Sequence, residues 1–152
     1  MGFLMAENRK NLKGEIKMDI SRMCPHCMRK MPSGAGDICV HCGKNIKEFS
    51  EITHQLKPYT ILQGKYLVGD VLGEGGFGIT YIGFDLNLEM RVAIKEFYPN
   101  GYATREANVT SKLTVYNGQN HQTIIKWRDS LQKNDIRQSS SSSMTYMKKT
   151  RI

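Results

Sequence analysis

Tyr66–Pro99 reads YLVGDVLGEGGFGITYIGFDLNLEMRVAIKEFYP. Gly73, Gly75 and Gly78 stand in G-x-G-x-x-G spacing, which alone also marks ordinary tight turns. In a dinucleotide-binding unit the third glycine opens a helix. Here Ile79-Thr80-Tyr81-Ile82 follow, poor helix starters whose β-branched and aromatic side chains suit a strand. A phosphate-binding loop of the Walker type needs Lys and Ser/Thr directly after its last glycine, and Ile79 and Thr80 stand there instead. The glycines therefore join two strands, and a third strand carries Val92-Ala93-Ile94-Lys95.

Strand, glycine-rich hairpin, strand, turn, strand with a lysine is the order of the protein kinase small lobe. The segment Val71–Tyr81 followed by VAIKEFYP resembles bacterial serine/threonine kinases of the eukaryotic type, over about Leu56–Arg105, a third of the chain. The resemblance implies that Gly73, Gly75, Gly76, Phe77 and Gly78 form a flexible loop over the phosphates of ATP with its Mg²⁺, where glycines let backbone N–H groups approach. It implies that Lys95 points its ammonium at the α- and β-phosphates. Leu72 and Ala93 would line the adenine site, with Thr80 where the kinase pattern usually has Val. The bland counterpart is a three-stranded meander with a solvated lysine.

The 152 residues carry a net charge of +8, distributed unevenly. Residues 1–50 hold nine Lys/Arg against five Asp/Glu, residues 51–120 six against seven, and residues 121–152 seven against two. The basicity lies outside the kinase-like stretch, and no Lys/Arg cluster with interleaved aromatics marks a nucleic-acid surface; nucleic acid is disfavoured as a partner. No stretch approaches the roughly 20 apolar residues of a membrane-spanning helix. Met1–Ala6 is too short for a signal-peptide core, and Ala6 misses the Ser/Thr of a myristoylation signal. The expected location is cytoplasmic.

Residues 1–20 are polar and unpatterned and are expected to form a disordered leader, with Met18 and Met23 as alternative starts. Cys24-Pro25-His26-Cys27 and Cys39-Val40-His41-Cys42 follow, using all four cysteines in two C-x-x-C pairs eleven residues apart. Each pair can present two thiolates to one metal, and two such knuckles close a tetrahedral zinc site of Cys24, Cys27, Cys39 and Cys42. Gly43 follows the second knuckle, whereas Met28 stands at the equivalent place in the first. A disulfide pair is disfavoured in the cytoplasm, and two copies without a βαβ context argue against redox C-x-x-C chemistry. His26 and His41 are expected to be bystanders. A closed four-thiolate site leaves no open position, so the ribbon is structural, with a protein partner as its candidate role.

The expected organisation is α+β: a leader at 1–20, a zinc ribbon at 21–46, a linker at 47–60, an incomplete kinase-like N-lobe of antiparallel strands at 61–118, one candidate helix at 119–137 and a disordered tail at 138–152. The helix rests on Ile124, Trp127 and Leu131 at helical spacing, and the tail on the serine run Ser139–Ser143. Catalytic parts are missing. Between Ala107 and Ile152 there is no glutamate to pair with Lys95, and no HRD, DFG or APE. Glu96 points away from Lys95 by strand alternation, and Glu106 reads as solvated. No catalytic residue is assigned, and whether the chain is an enzyme stays open. The expectation is the ATP-binding N-terminal portion of a serine/threonine kinase, truncated or ending in a frameshifted tail. The alternatives are a zinc-ribbon interaction module or a non-functional truncated product.

Overall fold

Antiparallel pairing begins with the hairpin the glycines make. β2 (Tyr66–Gly75) turns directly into β3 (Gly78–Asp85), and β4 (Met90–Phe97) returns along β3. The β3–β4 turn forms because Asp85 Oδ1 accepts from the N–H groups of Asn87 and Leu88, both at 3.0 Å, an Asx-type turn. The computed structural model describes residues 19–49, 52–105, 113–115, 122–123, 125–126, 129 and 147–152. Its remaining strands are β1 (Ile61–Leu62), β5 (Ala103–Arg105), β6 (Leu113–Val115) and β7 (Met147–Arg151). They build one sheet in the order β1-β2-β3-β4-β7 and a separate β5-β6 pair.

The strands' alternation sorts side chains onto two faces. Val68, Ile79, Tyr81, Val92 and Ile94 pack on one face with Leu56, Leu62, Phe97, Tyr98 and Ala103. Leu67, Ile82 and Phe84 take the other face and receive Met23 and Met28 from the cysteine-rich module. Strand packing is tight at Gly83, where an added Cβ would lie 2.3 Å from Ile94 Cδ1 and 3.0 Å from the Leu67 carbonyl oxygen. Gly83→Ala is expected to destabilise the sheet by about 1–3 kcal/mol through overpacking, read as a lower urea midpoint at unchanged slope.

One sequence expectation changes. The described residues are mostly β rather than α+β. Of the candidate helix, residues 122, 123, 125, 126 and 129 have helical backbone, while Ile124, Trp127 and Leu131 lie outside the described residues, as do residues 1–18 and the serine run. Within the expected tail, Met147–Arg151 pairs with β4 from Val92↔Arg151 to Glu96↔Met147, and residues 138–146 lie outside the described residues. The polar linker at 47–60 contributes to the core: Leu56 is buried, and the Tyr59 hydroxyl donates to the Met23 carbonyl at 2.9 Å. Polar composition hid these two anchors, since a single leucine and a single tyrosine hydroxyl leave no periodic signal.

Candidate metal centre and nucleotide face

Two short turns with the same hydrogen-bond pattern bring the cysteines together. In the first, Cys24 N–H donates to the Arg29 carbonyl at 2.9 Å and Met28 N–H to the Cys24 carbonyl at 2.8 Å. In the second, Cys39 N–H donates to the Lys44 carbonyl and Gly43 N–H to the Cys39 carbonyl, both at 2.8 Å. Each knuckle ends in a left-handed residue, Met28 at φ 52° and Gly43 at φ 73°. Glycine adopts that conformation without penalty; Met28 does so with its side chain buried.

All four sulfurs lie within 4.8 Å of one another, with Cys24 Sγ to Cys42 Sγ at 3.7 Å and Cys27 Sγ to Cys39 Sγ at 3.8 Å. A tetrahedron of sulfurs about 2.3 Å from a central zinc has edges of about 3.8 Å. The cysteines are free thiols far beyond disulfide length, so the cluster could hold a zinc ion. Burial pushes the Cys24 and Cys27 thiols up. Burial also acts against ionisation of Cys39, but the N–H groups of His41 and Cys42 hold it down at about 6. A central cation relieves this conflict by stabilising all four thiolates.

The two histidines of the knuckles have other partners. His26 Nδ1 contacts Asp70 Oδ2 and its Nε2 lies 2.8 Å from the Asn45 carbonyl oxygen, while His41 Nε2 lies 3.2 Å from the Lys30 carbonyl oxygen.

Of the residues assigned to the nucleotide by resemblance, Gly73, Thr80, Ala93 and Lys95 share one face of the sheet. Gly73 opposes Thr80, and Thr80 opposes Lys95 across β2, β3 and β4; directly opposed residues share a face. Ala93 lies two positions from Lys95 and opposes Ile82. Lys95 is exposed and Thr80 and Ala93 are half-buried, while Leu72 and Phe77 are open to solvent at the loop. The four loop glycines divide into two kinds. A Cβ at Gly78 would fall 2.2 Å from the Glu96 carbonyl oxygen, so the fold itself requires that glycine. Gly73, Gly75 and Gly76 have nothing within 4 Å of an added Cβ and no left-handed φ. The chain's own packing does not demand them.

Upstream residues brace this loop: His54 Nε2 and Gln55 Nε2 reach the Glu74 carboxylate at 2.8 and 2.9 Å. Gln55 first, and then His54, hold the Glu74 carboxyl below its usual value. That contribution to stability is present above the unfolded carboxylate pKa and is lost as pH falls through the depressed value. Glu74→Gln is expected to flatten the acid limb of the stability curve.

Sequence reasoning placed Glu96 opposite Lys95 but missed its partners. Glu96 is fully buried, accepts from the Tyr81 hydroxyl at 2.9 Å and forms an ion pair with Arg105. Tyr81 oxygen in turn accepts from Leu56 N–H at 3.0 Å. The available signal was a carboxylate on the core side of a strand, which requires a buried cation or donor.

Part of the chain is similar to protein kinases. Over 71 residues, 46% of this chain, it is 34% identical to MAP3K epsilon protein kinase 1 of Brassica napus and to MAP3K epsilon protein kinase 2 of Arabidopsis thaliana. The match spans 6% and 5% of those proteins. No family model matches the chain, and no solved structure does. Among the described residues no helix is long and apolar enough to cross a membrane. The kinase-like strands and the four-cysteine cluster are thus two candidate sites in one short chain.

Proposed function

We propose that the chain is the ATP-binding N-terminal portion of a serine/threonine protein kinase, carrying a structural zinc ribbon and acting in the cytoplasm. The observation that carries this reading is the set of glycines at 73, 75 and 76, which neither packing nor backbone conformation requires. They border the row of Thr80, Ala93 and Lys95. A position kept free of a side chain without internal need suits a ligand that approaches the backbone, and an exposed lysine on the same face suits a phosphate. Gly73, Gly75, Gly76, Phe77 and Gly78 would cover the phosphates, Lys95 would neutralise them, and Leu72, Thr80 and Ala93 would contact the adenine. The family reaction is phosphoryl transfer from ATP-Mg²⁺ to a Ser/Thr hydroxyl. Residues 1–152 contain neither the HRD base nor the DFG metal ligand, so this segment by itself transfers no phosphate.

Calorimetric titration of ATP-Mg²⁺ tests the reading. Saturable binding is expected, weakened by about 10- to 100-fold in Lys95→Ala, the loss of a hydrogen bond to a charged group. Gly73→Ala should weaken binding while leaving the melting temperature unchanged, because its Cβ meets only open space. Absence of binding in the parent chain would overturn the nucleotide reading. It would favour the second one, a zinc-ribbon interaction module, for which the exposed Ile38 and Val40 on the second knuckle speak.

A further inference from the structure

We propose that the first cysteine knuckle is a clip on the strand that enters the glycine-rich loop, so that metal loading fixes the geometry of that strand. The proposal rests on the zinc half of the reading above and is independent of its nucleotide half. Register along β2 breaks between Val68 and Val71, leaving Asp70 out of the ladder to β3. Its N–H donates instead to the Pro25 carbonyl at 2.9 Å, inside the first C-x-x-C. At the neighbouring Gly69 an added Cβ would lie 2.3 Å from that same Pro25 oxygen, 2.3 Å from Met28 Cε and 2.9 Å from Ile82 Cγ2. The knuckle's backbone and the strand's backbone therefore touch, and only glycine permits it.

Two further contacts make this a fitted junction. Met28 occupies the left-handed position that glycine fills in the second knuckle, and its buried side chain packs with Leu67, Ile82 and Phe84. His26 bridges Asp70 on the strand and the Asn45 carbonyl beside the second knuckle. Pro25 and His26 lie between two metal-ligating cysteines, so metal coordination fixes the Pro25 carbonyl that receives the Asp70 amide. Gly73 follows three residues later on the same strand. Metal loss would release the bulge and, through it, the entry to the loop; the knuckle thus positions the strand without touching a ligand there.

Amide hydrogen exchange on the full chain, with and without a zinc chelator, tests this. In the zinc-loaded chain the Asp70 amide is expected to be protected, and chelation should speed its exchange by about tenfold or more, with Tyr81 and Ile94 in β3 and β4 changing far less. Gly69→Ala should reproduce the fast Asp70 exchange while one zinc per chain is retained. Met28→Gly should do likewise, and Met28→Leu should restore slow exchange. Unchanged Asp70 exchange on chelation, in a chain that binds zinc, overturns the clip alone, as does loss of protection spread evenly over β2, β3 and β4. A chain that takes up no zinc overturns both the clip and the metal reading.

Discussion

Glu96→Ala is expected to lower the unfolding free energy by about 3–5 kcal/mol, the cost of stripping one partner from a buried ion pair. The carboxylate lies on the core side of β4, fully buried. Burial alone pushes its carboxyl up, and Arg105 and the Tyr81 hydroxyl draw it back. Removing it leaves the Arg105 guanidinium buried with no ion-pair partner among the described residues. Among the described residues, two of that group's nitrogens, Nε and Nη1, have no hydrogen-bond partner. The Tyr81 hydroxyl also loses its acceptor, and with it the link from β3 to the Leu56 amide weakens. A small domain has about 5–15 kcal/mol in total, so the variant should be largely unfolded at modest urea. The informative control is the double replacement Glu96→Leu with Arg105→Met. Removing both charges removes both desolvation costs, and the double variant should lose far less than the two single variants summed. If Glu96→Ala unfolds at the parent's urea midpoint, the pair carries no stability and β5 is held by its pairing with β6 and its apolar contacts.

The strand order around the glycine-rich hairpin was legible because Ile79–Ile82 are poor helix starters that suit a strand, and because their order with Val92-Ala93-Ile94-Lys95 resembles the kinase small lobe. The cysteine cluster was legible for a different reason, since ligand chemistry imposes a spacing that survives without any hydrophobic pattern. What escaped was everything that depends on meeting a distant segment. Gly69 reads as an interruption of a strand until the Pro25 carbonyl is brought against it. Asp70 reads as a surface charge until His26 lies beside it. Arg105 is one cation among many until Glu96 faces it. Met147–Arg151 carries three basic residues after a polar run, and its pairing with β4 is a property of the open sheet edge rather than of its own composition. Edges recruit strands because their N–H and C=O groups are unpaired, which composition does not record.

Chelation of zinc, or substitution of any one of the four cysteines, is expected to unfold residues 20–46 outright. The reasoning is one of size. The module's own apolar cluster is Cys24, Met31 and Cys39 with partly buried Cys27, Ala35 and Ile46, too little surface to offset the ordering of its backbone. A four-thiolate zinc supplies on the order of 10 kcal/mol or more at neutral pH, and without it the two knuckles keep only a few turn hydrogen bonds each and the contacts of Met23, Met28, Pro25 and His26 with the sheet. Burial gives the decisive contrast between cysteines. Cys24 and Cys39 are buried, whereas Cys42 is exposed. If the thiols act merely as small apolar side chains, Cys24→Ser should destabilise and Cys42→Ser should be nearly silent. If they share one metal, the two substitutions should be alike, because each removes one of four bonds irrespective of its exposure. Metal content per chain and a thermal melt of both variants distinguish the cases: equal loss of zinc and equal downward shifts support the site, and a silent Cys42→Ser with parent zinc content removes Cys42 from it.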